Sequence, residues 1–198
     1  MRLTKERAEH NRQLIVETAS RMFRLHGMEN VSVAHIMKES GFTHGGFYNH
    51  FKSKDELATE AINSAFDVVG TTLSEKFASG ENPQQSLSSF IARYLSPPHR
   101  DADTGGCPAP ALSLDAARNG KTVQTAFGKG IESYLDLIAA QMNGAKHEVR
   151  QRAIALFSGL VGAMVLSRAV RKSDPKLSDE ILSSARKYFS NSVSQELL

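Results

Sequence analysis

The chain of 198 residues has one cysteine and no tryptophan. A single cysteine excludes an intramolecular disulfide and the multi-cysteine zinc sites, which fits a reducing compartment better than secretion. The longest apolar stretch, residues 153–166, is interrupted by Ser158 and two glycines, and it falls short of the roughly 20 residues of a membrane span. The polar N-terminus lacks the apolar segment of a signal peptide. The sequence therefore predicts a cytoplasmic protein.

The common signatures of enzymes are also missing. The sequence contains no glycine-rich phosphate loop, no paired histidine motif and no Gly-x-Ser-x-Gly elbow. Cys107 and His99 are the only nucleophile and base that lie close together in sequence, and no residue that would orient His99 is evident. We therefore expect no enzymatic activity, no metal and no cofactor.

Positive charge is concentrated at one end of the chain, although the net charge is only +3. Residues 1–54 contain nine Lys or Arg against five Asp or Glu, and they hold five of the seven histidines. Residues 55–198 contain 15 Lys or Arg against 16 Asp or Glu. A polyanion is the natural partner of the basic end, and a randomly uneven surface is the alternative.

Apolar residues recur at helical spacing, and no stretch shows the alternation of a strand. The pattern predicts an all-α fold of about nine helices. The first helix ends at Gly27, and a long helix begins with a capping box in which Ser53 is the cap and Glu56 follows three residues later. Residues 96–106 are rich in proline and glycine and have no apolar period, which predicts a mobile loop.

Residues 32–57 contain two short helical patterns joined by a tight turn. Ser32 is placed to cap the first helix, Gly41 to close it in a left-handed conformation, and Thr43 to cap the second, at about residues 44–51. Two glycines, at positions 45 and 46, lower helix propensity by about 1 kcal/mol each relative to alanine. They leave the beginning of this helix bare, which is useful if its backbone must approach another molecule closely.

This stretch closely resembles the N-terminal helix-turn-helix of TetR-family transcriptional regulators. The resemblance covers about residues 5–60 and rests on the runs Ser32-Val33-x-x-Ile36, Gly41-Phe42-Thr43-x-Gly45-x-Phe47-Tyr48-x-His50-Phe51 and Lys52-Ser53-Lys54-Asp55-Glu56-Leu57. The rest of the chain matches the family only in length and helix pattern. The resemblance implies a DNA-binding domain at residues 1–54 and an effector-binding and dimerisation domain at residues 55–198.

A recognition helix of this type places its N-terminal residues against base edges in the major groove. His44 has the only long polar side chain there, so we expect it to read a base, with Thr43 against a base or a phosphate. Tyr48 is expected to bind a phosphate or, alternatively, to pack inward. Where family members often have a longer polar residue this chain has Ala34, and His35 is the candidate substitute. The predicted DNA-binding residues are Ser32, Thr43, His44, Gly45, Gly46, Tyr48, His50 and Lys54, of which the last three are phosphate anchors.

The resemblance further implies a homodimer through the helices at about 148–171 and 175–194, double-stranded DNA with a palindromic operator as partner, and a small-molecule effector. The expected function is therefore that of a repressor, which the effector releases from DNA. The rival interpretation is a non-specific architectural DNA binder. The candidate pocket residues, each of which could equally be an ordinary core residue, are Phe90, Tyr94, Leu112, Phe127, Tyr134 and Phe157.

Cys107 follows two glycines and precedes Pro108, at the expected beginning of a helix. The positive end of a helix dipole lowers the pKa of a thiol and favours the reactive thiolate. The Gly-Cys pair is similar to that of family members that sense electrophiles or oxidants. Cys107 is therefore a candidate sensing thiol, and a small buried core residue is the alternative.

Overall fold

A computed structural model describes residues 5–79 and 82–195, and all regular secondary structure in these residues is helical, which confirms the all-α prediction. About nine helices were expected, and the described ranges contain ten helical segments, one of them only four residues long. In chain order they are α1 (Lys5–His26), α2 (Val33–Glu39), a 3₁₀ helix (His44–Asn49), α3 (Lys54–Ala78), α4 (Pro83–Tyr94), α5 (Pro97–Arg100), α6 (Pro108–Arg118), α7 (Lys121–Ala139), α8 (Lys146–Val170) and α9 (Pro175–Gln195).

The segments belong to two compact units. Unit 1 comprises the residues up to Val68 together with Asp103–Gly130, and unit 2 comprises Val69–Ala102 together with the residues from Ile131 onward. Unit 1 thus contains the helix-turn-helix, the first part of α3, α6 and the first half of α7. The functional division that we expect between residues 54 and 55 is a separate matter and stays a prediction.

The helix α1 buries one stripe of apolar side chains in unit 1. Ile15, Ala19, Met22 and Phe23 are buried at i, i+4, i+7 and i+8, which is the inward face that the sequence predicted. The helix ends at Gly27, which has a φ of +80° and donates its N–H to Phe23 O at 2.8 Å. Glycine reaches this left-handed conformation without steric cost, so the predicted end of α1 is confirmed.

The predicted capping of α3 is also present, with one difference. The Ser53 hydroxyl accepts a hydrogen bond from Glu56 N at 3.1 Å. The Glu56 carboxylate reaches one residue further back than the motif predicts, and accepts from Lys52 N at 2.7 Å. This bond is the largest cause that lowers the pKa of Glu56, since it favours the ionised carboxylate.

The mobile loop predicted at residues 96–106 is wrong for its first half, which forms α5. Arg100 donates from one side-chain nitrogen to Ser178 Oγ at 2.7 Å and to Asp179 Oδ1 at 2.6 Å. The Arg168 guanidinium donates in turn to the backbone carbonyl of Arg100 at 3.2 Å. These partners in α8 and α9 fix the segment within unit 2, and they lie too far away in sequence for a local pattern to reveal.

The helix α8 has two different faces. One face is buried in unit 2 and comprises Val149, Ala153, Leu156, Phe157, Leu160, Ala163 and Met164. The ring of Phe189 in α9 occupies the space that a Cβ on Gly159 would fill. At Gly162, by contrast, no neighbouring atom lies within 4 Å of the Cβ position. Other apolar side chains point outward, among them Ile154, 42% exposed, and Leu166, 59% exposed.

By length and composition α8 is apolar enough to cross a membrane, because the complete helix is longer than the apolar stretch seen in the sequence. Of the most apolar 18-residue segment of α8, 39% is buried within the protein. The core helix of a soluble protein meets the same criterion, and α8 is packed along one side as such a helix is.

Candidate nucleic-acid interface

The turn between α2 and the 3₁₀ helix has the predicted geometry. Ser32 precedes α2, and its hydroxyl accepts a hydrogen bond from His35 N at 3.2 Å. After α2, Gly41 has a φ of +81° and the N–H of Phe42 bonds to Met37 O at 2.8 Å. The N–H of Gly41 also donates to Lys38 O at 3.0 Å, and this pair of bonds closes the helix and reverses the chain sharply. The helix-turn-helix that the sequence predicted is therefore formed.

The second helix of the motif is a 3₁₀ helix that ends at Asn49, two residues before the predicted end. Thr43 occupies the cap position, but its hydroxyl makes no capping hydrogen bond, so that detail of the prediction is wrong. Instead, the carbonyl of Thr43 accepts from Gly46 N at 3.0 Å. An i to i+3 bond of this kind winds the turn more tightly than an α-helix, and glycine at positions 45 and 46 has low α-helix propensity.

The beginning of the 3₁₀ helix is open to solvent. Thr43, His44 and Gly45 are exposed, and no atom lies within 4 Å of the position that a Cβ on Gly45 would take. Tyr48 is 71% exposed, which excludes the alternative in which its ring packs inward. The rings of Phe47 and Phe51 are buried and stack at 5.5 Å, as core residues of unit 1. Polar and aromatic side chains thus project from one rigid apolar base.

His50 is half-buried and adjoins the guanidinium of Arg12. Burial lowers the pKa of His50, and the positive charge of Arg12 lowers it further. Its imidazole is therefore neutral at pH 7, because the shift is downward from 6.5. A neutral imidazole offers one N–H donor to a phosphate but no charge, so His50 is a weaker anchor than a cation would be.

The ammonium group of Lys54 is partly occupied within unit 1. It donates to Met28 O at 2.5 Å and lies 6.0 Å from the centroid of the Phe23 ring. This contact ties the beginning of α3 to the chain after α1, and the two remaining N–H groups of the ammonium stay available. The neighbouring Lys52 is exposed at the same corner. Lys52 begins the motif that follows the 3₁₀ helix, and its exposure makes it a further candidate phosphate contact.

Arg12 is the one residue of this surface whose role no local pattern indicated. Its guanidinium donates to the backbone carbonyl of His50, and it forms ion pairs with Glu56 and Glu60 of α3. One side chain of α1 thus holds both the end of the 3₁₀ helix and the beginning of α3. The sequence gives no signal for this, since the partners lie 38 to 48 residues away.

Five of the six predicted pocket residues are buried and Phe127 is half-buried, and the six do not belong to one unit. In unit 2 a chain of ring contacts joins Phe90 to Tyr94 at 5.5 Å, Tyr94 to Phe157 at 6.2 Å, and Phe157 to Tyr134 at 5.4 Å. The other two residues belong to unit 1, where Leu112 is buried and Phe127 meets Phe66 edge to face at 5.5 Å. His99 also joins the unit 2 cluster, because its ring packs 4.7 Å from that of Tyr94.

Cys107 lies at the cap position of α6, as predicted, and is only 2% exposed. The glycines before it form a left-handed turn, with φ of +80° at Gly105 and +65° at Gly106. This turn packs against the end of α1, where the Arg24 guanidinium donates to Gly106 O at 2.8 Å. Further along α6, the Asp115 carboxylate accepts from the N–H of residue 28 at 2.7 Å. Two hydrogen bonds therefore dock α6 onto the end of α1 within unit 1.

Comparisons with known proteins agree with this fold and surface. Residues 15–61 match the family described as bacterial regulatory proteins, tetR family. The protein YxaF of Bacillus subtilis (strain 168), an uncharacterized HTH-type transcriptional regulator, is 28% identical over 171 residues, which are 84% of this chain and 90% of YxaF.

Two solved structures share the fold. The reduced form of E. coli NemR has a TM-score of 0.79 at 19% identity and covers 92% of this chain and 96% of NemR. The Bacillus subtilis transcriptional regulator FadR, in complex with stearoyl-CoA, has a TM-score of 0.64 at 16% identity and covers 87% of this chain and 96% of FadR. Likeness at these identities concerns the fold alone. The family match covers the helix-turn-helix, and the similarity to YxaF covers most of the chain. The resemblance noted in the sequence is thereby confirmed: residues 15–61 match the tetR family of bacterial regulatory proteins, and most of the chain is similar to an HTH-type transcriptional regulator.

Proposed function

We propose that this protein is a cytoplasmic homodimeric repressor that binds a palindromic operator and leaves it when a small molecule binds or a thiol is modified. The observation on which the proposal mainly rests is the open beginning of the 3₁₀ helix. There, His44 projects beside glycine backbone, and Tyr48 stands exposed above the buried aromatic pair. Such a surface lets backbone and one imidazole approach base edges closely, while the flanking groups bind phosphates.

In this proposal His44 reads a base and Thr43 contacts a base or a phosphate. The Ser32 hydroxyl already accepts a hydrogen bond from His35 N, yet its own proton remains free for a phosphate oxygen. The DNA-binding domain of residues 1–54, called the head below, is positioned on the DNA backbone by phosphate contacts. Tyr48, Lys52 and the two remaining N–H groups of Lys54 make these contacts. Glycine at positions 45 and 46 keeps the approach free of side chains.

The homodimer is proposed from the outer faces of α8 and α9. Ile154 and Leu166 on α8 are exposed, as are Leu177 and Tyr188 on α9, where Tyr188 is 68% exposed. Gly162 leaves open space on α8 into which a side chain of a second copy could pack. Apolar surface on two adjoining helices is typical of an interface between subunits, and two-fold pairing would present two heads to a two-fold symmetric site.

The effector is proposed to act through unit 2, where the chain of rings offers apolar walls. FadR, which shares the fold, is known with a bound acyl-CoA. Release of DNA requires that the effector bind more tightly to the conformation that does not fit the operator. The predicted residues Phe90, Tyr94, Tyr134 and Phe157 form one contiguous cluster, and Leu112 and Phe127 of unit 1 stay predictions.

Thiol modification is proposed as a second route to release. The likeness to NemR, whose reduced form is known, supports a search for redox behaviour. Cys107 adjoins the turn that Arg24 holds, so a bulkier or charged sulfur there would strain the docking of α6 onto α1. Because the thiol is 2% exposed, a small oxidant such as hypochlorite should react faster than a large alkylating reagent. A Cys107→Ser protein that releases DNA as the wild type does after treatment with hypochlorite would refute this route.

Selection of bound fragments from genomic DNA tests the main proposal. The purified protein should enrich a short palindrome, with half-sites about one helical turn apart. Light scattering during size-exclusion chromatography should give the mass of a dimer. Enrichment of no sequence, with affinity governed almost wholly by salt, would identify a non-specific DNA binder instead.

A further inference from the structure

An open cleft of about 500 Å³ lies in unit 2 between the last turn of α3 and one face of α4. The residues Ser86, Ser89, Phe90 and Arg93 line it at i, i+3, i+4 and i+7, which is one continuous stripe of a helix. Lys76 lines it from α3. Among the residues that the structure describes, none that lines the cleft is acidic, so both charged side chains of this lining are positive.

The two cations of the cleft have no anionic partner among the residues that the structure describes. Neither Lys76 nor Arg93 takes part in an ion pair with a described carboxylate. Burial lowers the pKa of Arg93, and no carboxylate of the described residues counteracts that shift. Elsewhere in the same unit the Arg100 guanidinium pairs with both Asp101 and Asp179. Lys76 and Arg93 are both exposed, so within the described part of the chain the cleft presents two positive charges without a carboxylate partner.

A buried hydroxyl gives a second and independent indication of a ligand. Ser86 is only 8% exposed, lies in the first turns of α4 and lines the cleft. Its Oγ has no hydrogen-bond partner in the described part of the chain. Buried hydroxyls are nearly always hydrogen-bonded, because an unmade bond is costly. An acceptor placed in the cleft would satisfy the hydroxyl after a rotation of its side chain.

Two of the remaining residues that line the cleft are aromatic, and the other three, Ser79, Gln85 and Ser89, are polar. Phe77 and Phe90 meet edge to face, with their ring centroids 5.8 Å apart, and both line the cleft. Phe90 also contacts Tyr94 at 5.5 Å and thereby joins the ring cluster of unit 2. A molecule that fits this arrangement has a negative group at one end and an apolar body at the other.

We propose that this cleft binds an amphipathic organic anion. Lys76 and Arg93 hold its carboxylate or phosphate group, the Ser86 hydroxyl donates a hydrogen bond to it, and its apolar body lies on Phe77 and Phe90. Ion pairs supply the affinity for the head group, and burial of the apolar body adds to it. The assignment names a ligand class and a site for the proposed effector, and it rests on the proposed function in that respect.

Titration calorimetry on the full-length protein without DNA tests the site. Octanoate and octyl phosphate are the anionic probes, and octanol is the neutral probe of the same chain length. At least one anion should bind about tenfold or more tightly than octanol, because only an anion pairs with the two cations. Preference for octanoate identifies a carboxylate as the natural head group, and preference for octyl phosphate identifies a phosphate monoester.

Variants locate the binding. The double variant Lys76→Gln with Arg93→Gln should lose affinity for the preferred anion by about tenfold or more, since charge-assisted hydrogen bonds are lost. The matched control is Arg118→Gln with Lys172→Gln, which removes two exposed cations elsewhere and should leave binding unchanged. Ser86→Ala should weaken anion binding several-fold while leaving the melting temperature of the free protein equal or higher, because it removes a buried hydroxyl that has no partner.

Three results would overturn the assignment: octanol binding as tightly as both anions, no binding of any probe at millimolar concentration, or equal affinities in the double variant and the wild type. Operator binding is measured in a separate gel-shift experiment. If the protein bound the anion but no operator, the proposed regulator would be refuted and the anion site would stand. If it bound the operator but no anion, the anion site would be refuted and the proposed regulator would stand.

Discussion

The guanidinium of Arg12 lies over the ring of Phe51, 4.1 Å from its centroid. The same guanidinium donates to the carbonyl of His50 and to the carboxylate of Glu60, and it approaches Glu56 at 3.3 Å. A cation that has carboxylates on one side and an aromatic face on the other is fixed in position. Arg12 therefore sets where the 3₁₀ helix ends with respect to α1 and α3.

Arg12→Gln should destabilise the protein by about 1–3 kcal/mol, because it removes charge-assisted hydrogen bonds and a cation–π contact at once. Operator affinity should fall as well, since the 3₁₀ helix loses its attachment to α1. Urea unfolding and gel shift measure the two effects. Arg21→Gln is the matched control, because Arg21 is an exposed arginine of the same helix. Equal stability of the two variants would contradict the assigned role.

Much of the head could be predicted from its sequence because its signals are local. Ser32, Gly41 and Ser53 each act on backbone groups within four residues, so the type of residue at each position was informative. The ion pairs of Arg12 and Arg100 could not be predicted, because each joins residues that are distant in sequence. A charged residue on an amphipathic helix occurs at the same sequence spacing whether its side chain is solvated or held by ion pairs.

Replacement of His44 by alanine should reduce discrimination between operator and mutated operator by about 1–3 kcal/mol per half-site. The reason is that His44 supplies the long polar side chain at the exposed beginning of the 3₁₀ helix that we propose to read DNA. Competition gel shifts with single-base operator variants measure the change position by position. His147→Ala, which alters an exposed histidine of α8, should bind as the wild type does. If only His35→Ala relaxed the specificity, the reading residue would lie on α2.

Lys52→Ala should weaken binding to all DNA sequences about equally and reduce the slope of log affinity against log salt by roughly one per head. Lys52 is exposed, whereas the ammonium of Lys54 already donates to Met28 O. Lys54→Ala should therefore also lower stability, which Lys52→Ala should not. Fluorescence anisotropy at several salt concentrations gives the slope. An unchanged slope for Lys52→Ala would exclude it as a phosphate contact.

Asp101 should make the stability of unit 2 depend on pH. A hydrogen bond from Arg100 is the main cause that lowers its pKa from 3.8 to about 2, and Arg171 adds to the shift. The ionised form is thus favoured in the folded state, so this stabilisation is present above about pH 4 and is lost as the pH falls through about 2. Its side chain is 39% exposed, and screening reduces the contribution to about 1 kcal/mol. Asp101→Asn should lose that amount at pH 7 and approach the wild type near pH 2 in urea titrations, whereas Asp103→Asn should match the wild type throughout.

The turn before Cys107 should tolerate no side chain at Gly105. Its φ is +80°, and a Cβ there would lie 2.5 Å from the Cβ of Arg24. Strain of the backbone and the clash with α1 together should make Gly105→Ala less stable by about 2 kcal/mol or more. Gly128 in α7 is the opposite case, because no atom lies within 4 Å of its Cβ position.

Gly128→Ala should therefore stabilise the protein by about 0.5–1 kcal/mol, as alanine does inside a helix. Thermal unfolding of the two variants at equal protein concentration compares them directly. If Gly105→Ala had the same melting temperature as the wild type, the turn would not be held against α1. A change at Cys107 could then not act on the DNA-binding domain through that contact. Lower stability together with weaker operator binding in Gly105→Ala would support action through that contact. The reason is that the hydrogen bond from Arg24 to Gly106 O joins α1 to the turn before Cys107.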